Sequence, residues 1–246
     1  MELTGKIALV TGSTSGIGRA TAQELAARGA HVLVSGRDEK RGAQVVAEIR
    51  AEGGKADFLP ADLRDAASAR DLAQRAVQVG GRVDILVNNA AIFEFGPTEA
   101  TSEADFDAMY QLNVKVPFFL VAELAPAMAE RGTGAIVNLT TMVAGFGQAG
   151  AALYGSSKAA VSLLTKAWAA EFGPRGVRVN AVSPGPTRTE GTAVMGDGLD
   201  QLASQAPAAR PADPAEIARA IAYLAGEGAS FVHGAILPVD GGRAAV

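Results

Sequence analysis

The stretch TGSTSGIG, residues 11–18, decides the fold of this 246-residue chain. It separates a short apolar run, 6–10, from a stretch with helical spacing, 19–29. Glycines between a strand and a helix allow a tight turn and bring backbone N–H groups close to a pyrophosphate at the helix N-terminus. The spacing is G-x3-G-x-G, and no Gly-Lys-Ser/Thr follows, which excludes a P-loop. The turn alone is also compatible with a purely structural connection.

Strand-like and helix-like stretches alternate along the rest of the chain. Because the strands carry few polar residues and are followed by helices, they predict a parallel sheet covered on both faces. We therefore predict one α/β domain over residues 1–246, a doubly wound parallel sheet of about seven strands with helices on both faces. The predicted strands are 6–10, 30–36, 56–62, 83–91, 134–141, 177–185 and 234–242. The predicted helices are 19–29, 41–54, 68–81, 103–130, 157–173 and 213–226.

One segment, 184–213, is rich in Gly, Pro and Thr and is too long for an ordinary connection. It follows the carboxyl end of a predicted strand, where ligands bind in open α/β sheets. We therefore predict that it forms a lid over the substrate site.

Composition excludes several classes of function. The net charge of −4 argues against a nucleic-acid binder. The chain has no cysteine, and its two histidines are His31 and His233, so we expect neither a metal site nor a cysteine nucleophile. No uninterrupted apolar window of about 18 residues is present, and the N-terminus lacks the layout of a signal peptide. We therefore expect a cytoplasmic protein without a membrane segment.

The end of the second predicted strand bears on cofactor choice. It reads Ser35-Gly36-Arg37, without the carboxylate that would accept a hydrogen bond from the ribose 2′-hydroxyl of NAD(H). The Arg37 guanidinium matches a phosphate instead, so we expect NADP(H) rather than NAD(H). The alternative is that Arg37 belongs to an ordinary charged surface loop with residues 38–40.

Tyr154 and Lys158 are four residues apart in YGSSK, so both would share one face if this stretch is helical. An ammonium near a phenol lowers the pKa of the phenol from about 10. Such a phenol suits a general acid that protonates a ketone oxygen. Alone, the motif is equally compatible with two ordinary residues on a helix surface.

Further motifs follow the glycine turn in a fixed order: Asn88-Asn89-Ala90-Ala91, Asn113, YGSSK (154–158), and Pro184-Gly185 followed by Thr189. With TGSTSGIG, this set resembles the short-chain dehydrogenase/reductase family over residues 5–242, whose motifs are T-G-x3-G-x-G, N-N-A-G, a helix-borne Asn, Y-x-x-x-K and P-G-x-x-x-T. Ala91 departs from the family's glycine. The resemblance implies a Rossmann-type fold and, through a C-terminal strand similar to the family's last strand, a homotetramer.

The resemblance also implies roles for individual residues. Tyr154 would be the general acid/base, Lys158 would hold the nicotinamide ribose, and Asn113 would hold a water in a proton relay. Asp62 would accept from the adenine amino group. The implied cofactor-binding residues are Gly12, Ser15, Gly16, Ile17, Gly18, Arg37, Asp62, Leu63, Asn89, Ala90, Tyr154, Lys158, Pro184, Gly185, Thr187 and Thr189. The alternatives are that Asp62 caps a helix, that Asn88 and Asn89 form a turn, and that Asn113 satisfies buried backbone.

The second departure from the family concerns its catalytic serine, part of a Ser-Ser pair about 13 residues before the tyrosine. This chain has Thr140-Thr141 there, and counting back 13 residues from Tyr154 reaches Thr141. A threonine keeps the hydroxyl donor but adds a methyl group, which predicts retained chemistry in a slightly narrower pocket. If the count is wrong by one, Thr140 is the donor.

We therefore predict an NADP(H)-dependent enzyme that transfers hydride between nicotinamide and a ketone or secondary alcohol. The alternatives are a 3-oxoacyl-carrier-protein reductase, with Arg131 and Arg175 facing an acidic partner, and a non-catalytic NADP(H)-binding sensor. Apolar residues expected near the pocket rim favour small or medium apolar ketones. These residues are Phe93, Phe95, Val143, Phe146, Val194 and Met195.

Overall fold

The computed structural model describes residues 2–246 and contains seven parallel strands in one sheet. The strands are β1 (Ile7–Val10), β2 (His31–Gly36), β3 (Lys55–Pro60), β4 (Ile85–Asn88), β5 (Gly134–Leu139), β6 (Val177–Pro184) and β7 (Ile236–Val239). Their order across the sheet is β3-β2-β1-β4-β5-β6-β7, and every pairing is parallel. The order reverses direction at β1, which opens a crevice at the carboxyl ends of β1 and β4.

Helices cover both faces of the sheet, which confirms the predicted doubly wound α/β fold. They are α1 (Gly16–Ala27), α2 (Glu39–Ala51), α3 (Ala66–Gly80), α4 (Glu103–Tyr110), α5 (Val116–Glu130), α6 (Ala152–Phe172), α7 (Asp197–Ala203) and α8 (Pro214–Ala225). One core packs α1, α2 and α8 against the sheet, and the other packs α3, α5 and α6 against the opposite face. Alternate residues of β1 serve the two cores, since Ala8 and Val10 face one and Leu9 faces the other.

Four helices, α1, α2, α3 and α6, begin earlier than their sequence pattern predicts, and the shifts of α1 and α6 affect the cleft. Helix α1 begins at Gly16 rather than at 19, so part of the glycine turn forms its first turn. Helix α6 begins at Ala152 rather than at 157, so Tyr154 and Lys158 lie on one helix. Glycine and serine have low helix propensity and conceal both starts, which tertiary contacts stabilise.

The predicted helical region 103–130 is two helices, α4 and α5, joined by a π-helical turn at Gln111–Lys115. The whole stretch, Glu103–Glu130, is long and apolar enough to cross a membrane by length and mean composition, although the absence of an uninterrupted apolar run predicts otherwise. Half of its most apolar window is buried inside the fold, where Leu120 and Leu124 of α5 pack in the core. A core helix passes the same test, so this is weak evidence for a membrane span.

Candidate active site

Nearly all the predicted site residues line a single cavity of about 890 Å³ at the carboxyl ends of the strands. The cavity is lined by the glycine turn, by the loops after β2 to β6, by one face of α4 and by residues of the segment 184–213. We call this segment the lid segment. Of the predicted catalytic and cofactor-binding residues, Asn113 alone does not line it. Among the predicted rim residues, Phe93, Phe95, Val143 and Met195 line the cavity, whereas Phe146 and Val194 do not.

The glycine turn lies directly against the end of β4. Gly12 has a φ of +62°, and a Cβ there would lie 2.9 Å from the Ala90 Cα. A Cβ on Gly18 would lie 2.2 Å from the Gly12 carbonyl oxygen. The Asn89 side-chain amide donates to the carbonyl oxygens of Thr11 and Gly12, at 2.8 and 3.0 Å. The two glycines therefore allow a close approach that side chains would prevent.

The strand-end asparagines do not form a turn, so that alternative is wrong. Asn88 is the last residue of β4, and its buried amide donates to the Asn138 side chain at 2.8 Å. Asn138 in turn donates to the Thr165 hydroxyl at 2.9 Å. These bonds hold β4, β5 and α6 in fixed positions relative to one another near the carboxyl ends of the strands.

The N-terminus of α1 is an anion site. Ser15 is the N-cap residue, and its hydroxyl makes no capping hydrogen bond. The Gly16 backbone N–H donates to a carboxylate oxygen of Glu190 at 2.9 Å. The Glu190 carboxylate thus stands where the helix dipole and free N–H groups stabilise negative charge. This arrangement fits the pyrophosphate of a dinucleotide.

The part of the cavity that follows β2 and β3 contains two guanidinium groups, those of Arg37 and Arg64. Arg37 is exposed and, within residues 2–246, forms no ion pair; its neighbour Asp38 caps α2 and contacts Arg41 at 3.3 Å. The charged loop therefore does not engage Arg37. Asp62 forms an ion pair with Arg64, which also lines the cavity.

Asp62 is not a helix cap, so that alternative is wrong. The capping box of α3 is formed by Asp65 and Ser68. Leu63 is buried beside Asp62 at the edge of the cavity. Both residues line the cavity, and their contact with an adenine stays a prediction.

The two threonines after β5 have different surroundings. Thr140 is buried, and its hydroxyl donates to the Val182 carbonyl oxygen at 3.1 Å. Thr141 lines the cavity beside Tyr154, and its side chain acts to lower the pKa of the Tyr154 phenol. The geometry therefore favours Thr141, in agreement with the 13-residue count, as the hydroxyl beside the tyrosine.

Tyr154 carries a tightly held proton. Burial raises the pKa of its phenol to about 12, although the neighbouring Thr141 side chain acts in the opposite direction. The rings of Phe93 and Phe95 pack edge-on against it, with centroids at 6.4 and 5.6 Å. The expectation that the pKa of Tyr154 is lowered is wrong for this site, because burial outweighs the opposing effect of Thr141.

Lys158 is buried in the wall of the cavity, four residues after Tyr154 on α6. Its ammonium donates to the Leu139 carbonyl oxygen at 2.8 Å, which joins α6 to the end of β5. Burial lowers the pKa of Lys158 from 10.5 to about 8. An ammonium has three donors, so this bond leaves donors for a ligand in the cavity.

Asn113 satisfies buried backbone, as the alternative reading of the sequence holds. Its side chain accepts from the Ile92 N–H and donates to the Ile92 carbonyl oxygen, both at 2.9 Å. It also donates to the Ser157 hydroxyl at 3.1 Å. The π-helical turn presents this side chain to the loop after β4 and so supports the cavity wall from behind.

The family model described as enoyl-(acyl carrier protein) reductase matches residues 12–244. The 2,5-dichloro-2,5-cyclohexadiene-1,4-diol dehydrogenase LinX of Sphingobium indicum is 40% identical over 98% of this chain and 97% of its own length. The 3-oxoacyl-[acyl-carrier-protein] reductase FabG of Thermotoga maritima is 35% identical over 98% of this chain and 99% of its own length.

Solved structures agree with these matches. A structure described as a short chain dehydrogenase/reductase family protein has a TM-score of 0.93 and 49% identity, with full coverage of both chains. The chain belongs to the short-chain dehydrogenase/reductase family. A second structure, described as an NAD(P)-dependent gluconate 5-dehydrogenase from Beutenbergia cavernae with bound NADP at low occupancy, has a TM-score of 0.94 and 39% identity, covering 100% of this chain and 99% of that one.

Family membership shows this chain to be an oxidoreductase. Ala91 lines the cavity, so its extra methyl group faces the space that the family's glycine leaves open. Three residues that the sequence motifs do not identify, Thr14, Arg64 and Gln148, also line the cavity. Arg64 follows Asp62 by two residues, so its ion pair with that carboxylate could be predicted from the spacing.

We predict that Lys158→Met makes the unfolding free energy of this dehydrogenase/reductase less dependent on pH. Because the pKa of Lys158 falls from 10.5 to about 8 on folding, the unfolded chain binds more protons than the folded one between these values, and stability rises with pH. The wild type should therefore gain on the order of 1–2 kcal/mol of unfolding free energy relative to the variant between about pH 7.5 and pH 9.5.

Urea denaturation of both proteins at the two pH values measures this effect. Lys166→Met is the matched control, since Lys166 lies exposed on the same helix. A stability difference between wild type and Lys158→Met that does not change with pH would contradict the buried ammonium.

Proposed function

We propose that this protein is an NADP(H)-dependent oxidoreductase that transfers hydride between nicotinamide and a ketone or secondary alcohol, with Tyr154 as general acid/base. The observation that supports this most directly is that Thr141 and Tyr154 lie together on the cavity wall, where the Thr141 side chain acts to lower the pKa of the phenol. Two hydroxyl groups that converge on one point can both contact a single substrate oxygen.

Each group has a distinct task in the proposed reaction. A bound nicotinamide supplies or accepts the hydride. Tyr154 gives its proton to the carbonyl oxygen during reduction, and its raised pKa keeps the phenol protonated at neutral pH. Thr141 donates a hydrogen bond to the same oxygen. Lys158, fixed by the Leu139 carbonyl oxygen, holds the ribose hydroxyls. Asn113 positions the loop that contains Ile92, and we keep its water-relay role as a prediction.

The cofactor-binding residues divide the cavity into four regions. The glycine turn with Ser15, Gly16 and Ile17 receives the pyrophosphate, and Pro184 to Thr189 cover the nicotinamide end. Asn89 and Ala90 flank the ribose between them. Two guanidinium groups at the adenine end, Arg37 and Arg64, favour the 2′-phosphate of NADP(H).

Arg37→Ala should raise the Kd for NADPH by roughly tenfold or more, the scale of a charge-assisted hydrogen bond, while changing the Kd for NADH little. The measurement is titration of each nucleotide by its own fluorescence. Arg41→Ala is the control, because Arg41 lies four residues away and pairs with Asp38. Equal losses for NADPH and NADH in Arg37→Ala would remove the basis for NADP(H) preference.

The substrate region favours small or medium apolar ketones. Its wall contains Phe93, Phe95 and Val143, with Met195, Leu199 and Leu202 contributed by the lid segment. LinX, by its name, oxidises a cyclic diol, and an alicyclic ketone would fit such a wall. NADPH oxidation with a panel of cyclic and linear ketones and an acetoacetyl thioester tests this. The proposed apolar ketone class fails if the thioester alone is reduced.

The alternative of a 3-oxoacyl-carrier-protein reductase is supported by the FabG relative. It is not supported by Arg131 and Arg175, because these residues precede β5 and β6 and lie at the opposite end of the sheet from the cavity. Arg131 donates to the Val83 carbonyl oxygen at 2.7 Å, and Arg175 lies over the Phe172 ring at 5.2 Å. A non-catalytic sensor would not require the hydroxyl groups of Thr141 and Tyr154 to lie together on the cavity wall.

We also propose that residues 1–246 act as one domain, with the lid segment closing over substrate, and that the enzyme is a cytoplasmic homotetramer. The lid segment contains a short 3-10 turn, Ala193–Met195, followed by α7, and three of its residues reach the substrate wall. Exposed apolar side chains on α5 and α6, Phe118 and Leu163, support subunit contacts.

A further inference from the structure

The carboxylate of Glu190 lies on the anion site of the proposed cofactor. Its oxygen accepts the Gly16 N–H at 2.9 Å, at the first residue of α1. Within residues 2–246, Glu190 forms no ion pair, and the nearby cation Arg188 pairs instead with Asp200 at 2.6 Å. The partner of this surface carboxylate is therefore a backbone donor at the helix N-terminus.

The turn that carries Glu190 is itself well fixed. The Thr189 N–H donates to the Thr192 hydroxyl at 2.9 Å, and that hydroxyl donates to the Thr187 carbonyl oxygen at 2.8 Å. A Cβ placed on Gly16 would lie 3.1 Å from the Thr189 Cγ2, so the lid segment rests directly on the glycine turn. The hydrogen bond from Gly16 thus joins the lid segment to the first turn of α1.

We propose that Glu190 is an internal competitor of the dinucleotide, a residue that sets cofactor affinity by holding the pyrophosphate site in the free protein. The inference rests on the proposed NADP(H) function. A carboxylate and a pyrophosphate cannot share one N–H donor, and their like charges repel at short distance. Cofactor binding therefore expels Glu190 and frees the lid segment from α1, which couples the arrival of cofactor to the position of the substrate wall.

Fluorescence titration of NADPH measures the competition directly, without turnover. Glu190→Gln and Glu190→Ala should each lower the Kd for NADPH by roughly two- to tenfold, the range expected for one anion at a helix N-terminus. Glu171→Gln is the matched control, because it removes the same charge from an exposed position on α6. Its Kd should equal that of the wild type.

A second ligand separates a local effect from a general change in charge. Adenosine 2′-monophosphate carries the adenine and the 2′-phosphate but no pyrophosphate, so its affinity should be the same in wild type and both Glu190 variants. Equal tightening of this ligand and of NADPH would overturn the proposal, since only general charge would then act.

The failure of this inference is distinguishable from the failure of the proposed function. If the wild type binds neither NADPH nor NADH, the proposed function itself fails. If the wild type binds NADPH but both Glu190 variants match Glu171→Gln, the competition alone is overturned. Weaker NADPH binding in the variants would also overturn it, because Glu190 would then hold the bound cofactor.

Discussion

Tyr154→Phe should lower kcat for ketone reduction by roughly 10²–10⁴-fold, the usual contribution of a positioned general acid, while the Kd for NADPH stays nearly unchanged. The phenol is the group that donates to the substrate oxygen in the proposed reaction, and the variant removes only that oxygen. The ring and its edge-on contacts with Phe93 and Phe95 remain, so the shape of the cavity is kept. Steady-state kinetics beside NADPH titration measures both quantities.

Tyr110→Phe is the matched control for this experiment. The Tyr110 hydroxyl donates to Ser156 at 3.0 Å, on the exposed side of α6, and its loss should leave kcat close to that of the wild type. Full turnover by Tyr154→Phe would mean that another group supplies the proton. NADPH binding without turnover of any carbonyl by the wild type would favour the sensor alternative.

The second large effect is expected for Thr141→Ala, which should lower kcat by roughly 10²–10³-fold, the scale for removing one oxyanion donor. The Thr141 hydroxyl lies beside Tyr154 on the cavity wall and would donate to the same substrate oxygen. Thr141→Ser restores the hydroxyl without the methyl group and should recover most of the turnover. Parallel measurement of kcat for the alanine and serine variants shows whether the hydroxyl itself matters.

Thr140→Ala provides the comparison within the same pair. The Thr140 hydroxyl bonds to the Val182 carbonyl oxygen, so its loss should cost stability of about 1–3 kcal/mol rather than turnover. Thermal unfolding and kinetics on both alanine variants separate the two effects. A large loss of kcat in Thr140→Ala with little in Thr141→Ala would reverse their proposed roles.

The fold could be predicted from the sequence because its physical signals are local. Apolar runs without alternation, each followed by a helical pattern, require a parallel sheet with two covered faces, and β1 shows this in its two buried sides. Helix starts were less predictable where glycine and serine occupy the first turn, as in α6, because packing rather than propensity stabilises those residues.

The members of the site were more predictable than their electrostatics. Motif spacing selected Tyr154, Lys158 and Thr141, and all three line one cavity. The direction of the pKa shift at Tyr154 was wrong in the sequence prediction, since burial dominates and burial depends on the surrounding phenylalanines. Glu190 carries no sequence signal, because its partner is a backbone N–H distant in the chain.

The π-helical turn at Gln111–Lys115 has a consequence for insertions and deletions. Each residue of an α-helix turns the chain by about 100°, and a π-helical turn contains roughly one extra residue. Deleting one residue there would give a regular α-helical turn and keep the cavity-lining face of α4, with Ala104 and Ala108, in register with α5 in the core, whereas a deletion within α4 or α5 would rotate one part of the helix by about 100° relative to the other. The π-helical turn is therefore the place where the stretch Glu103–Glu130 can lose one residue while α4 keeps facing the cleft and α5 keeps facing the core.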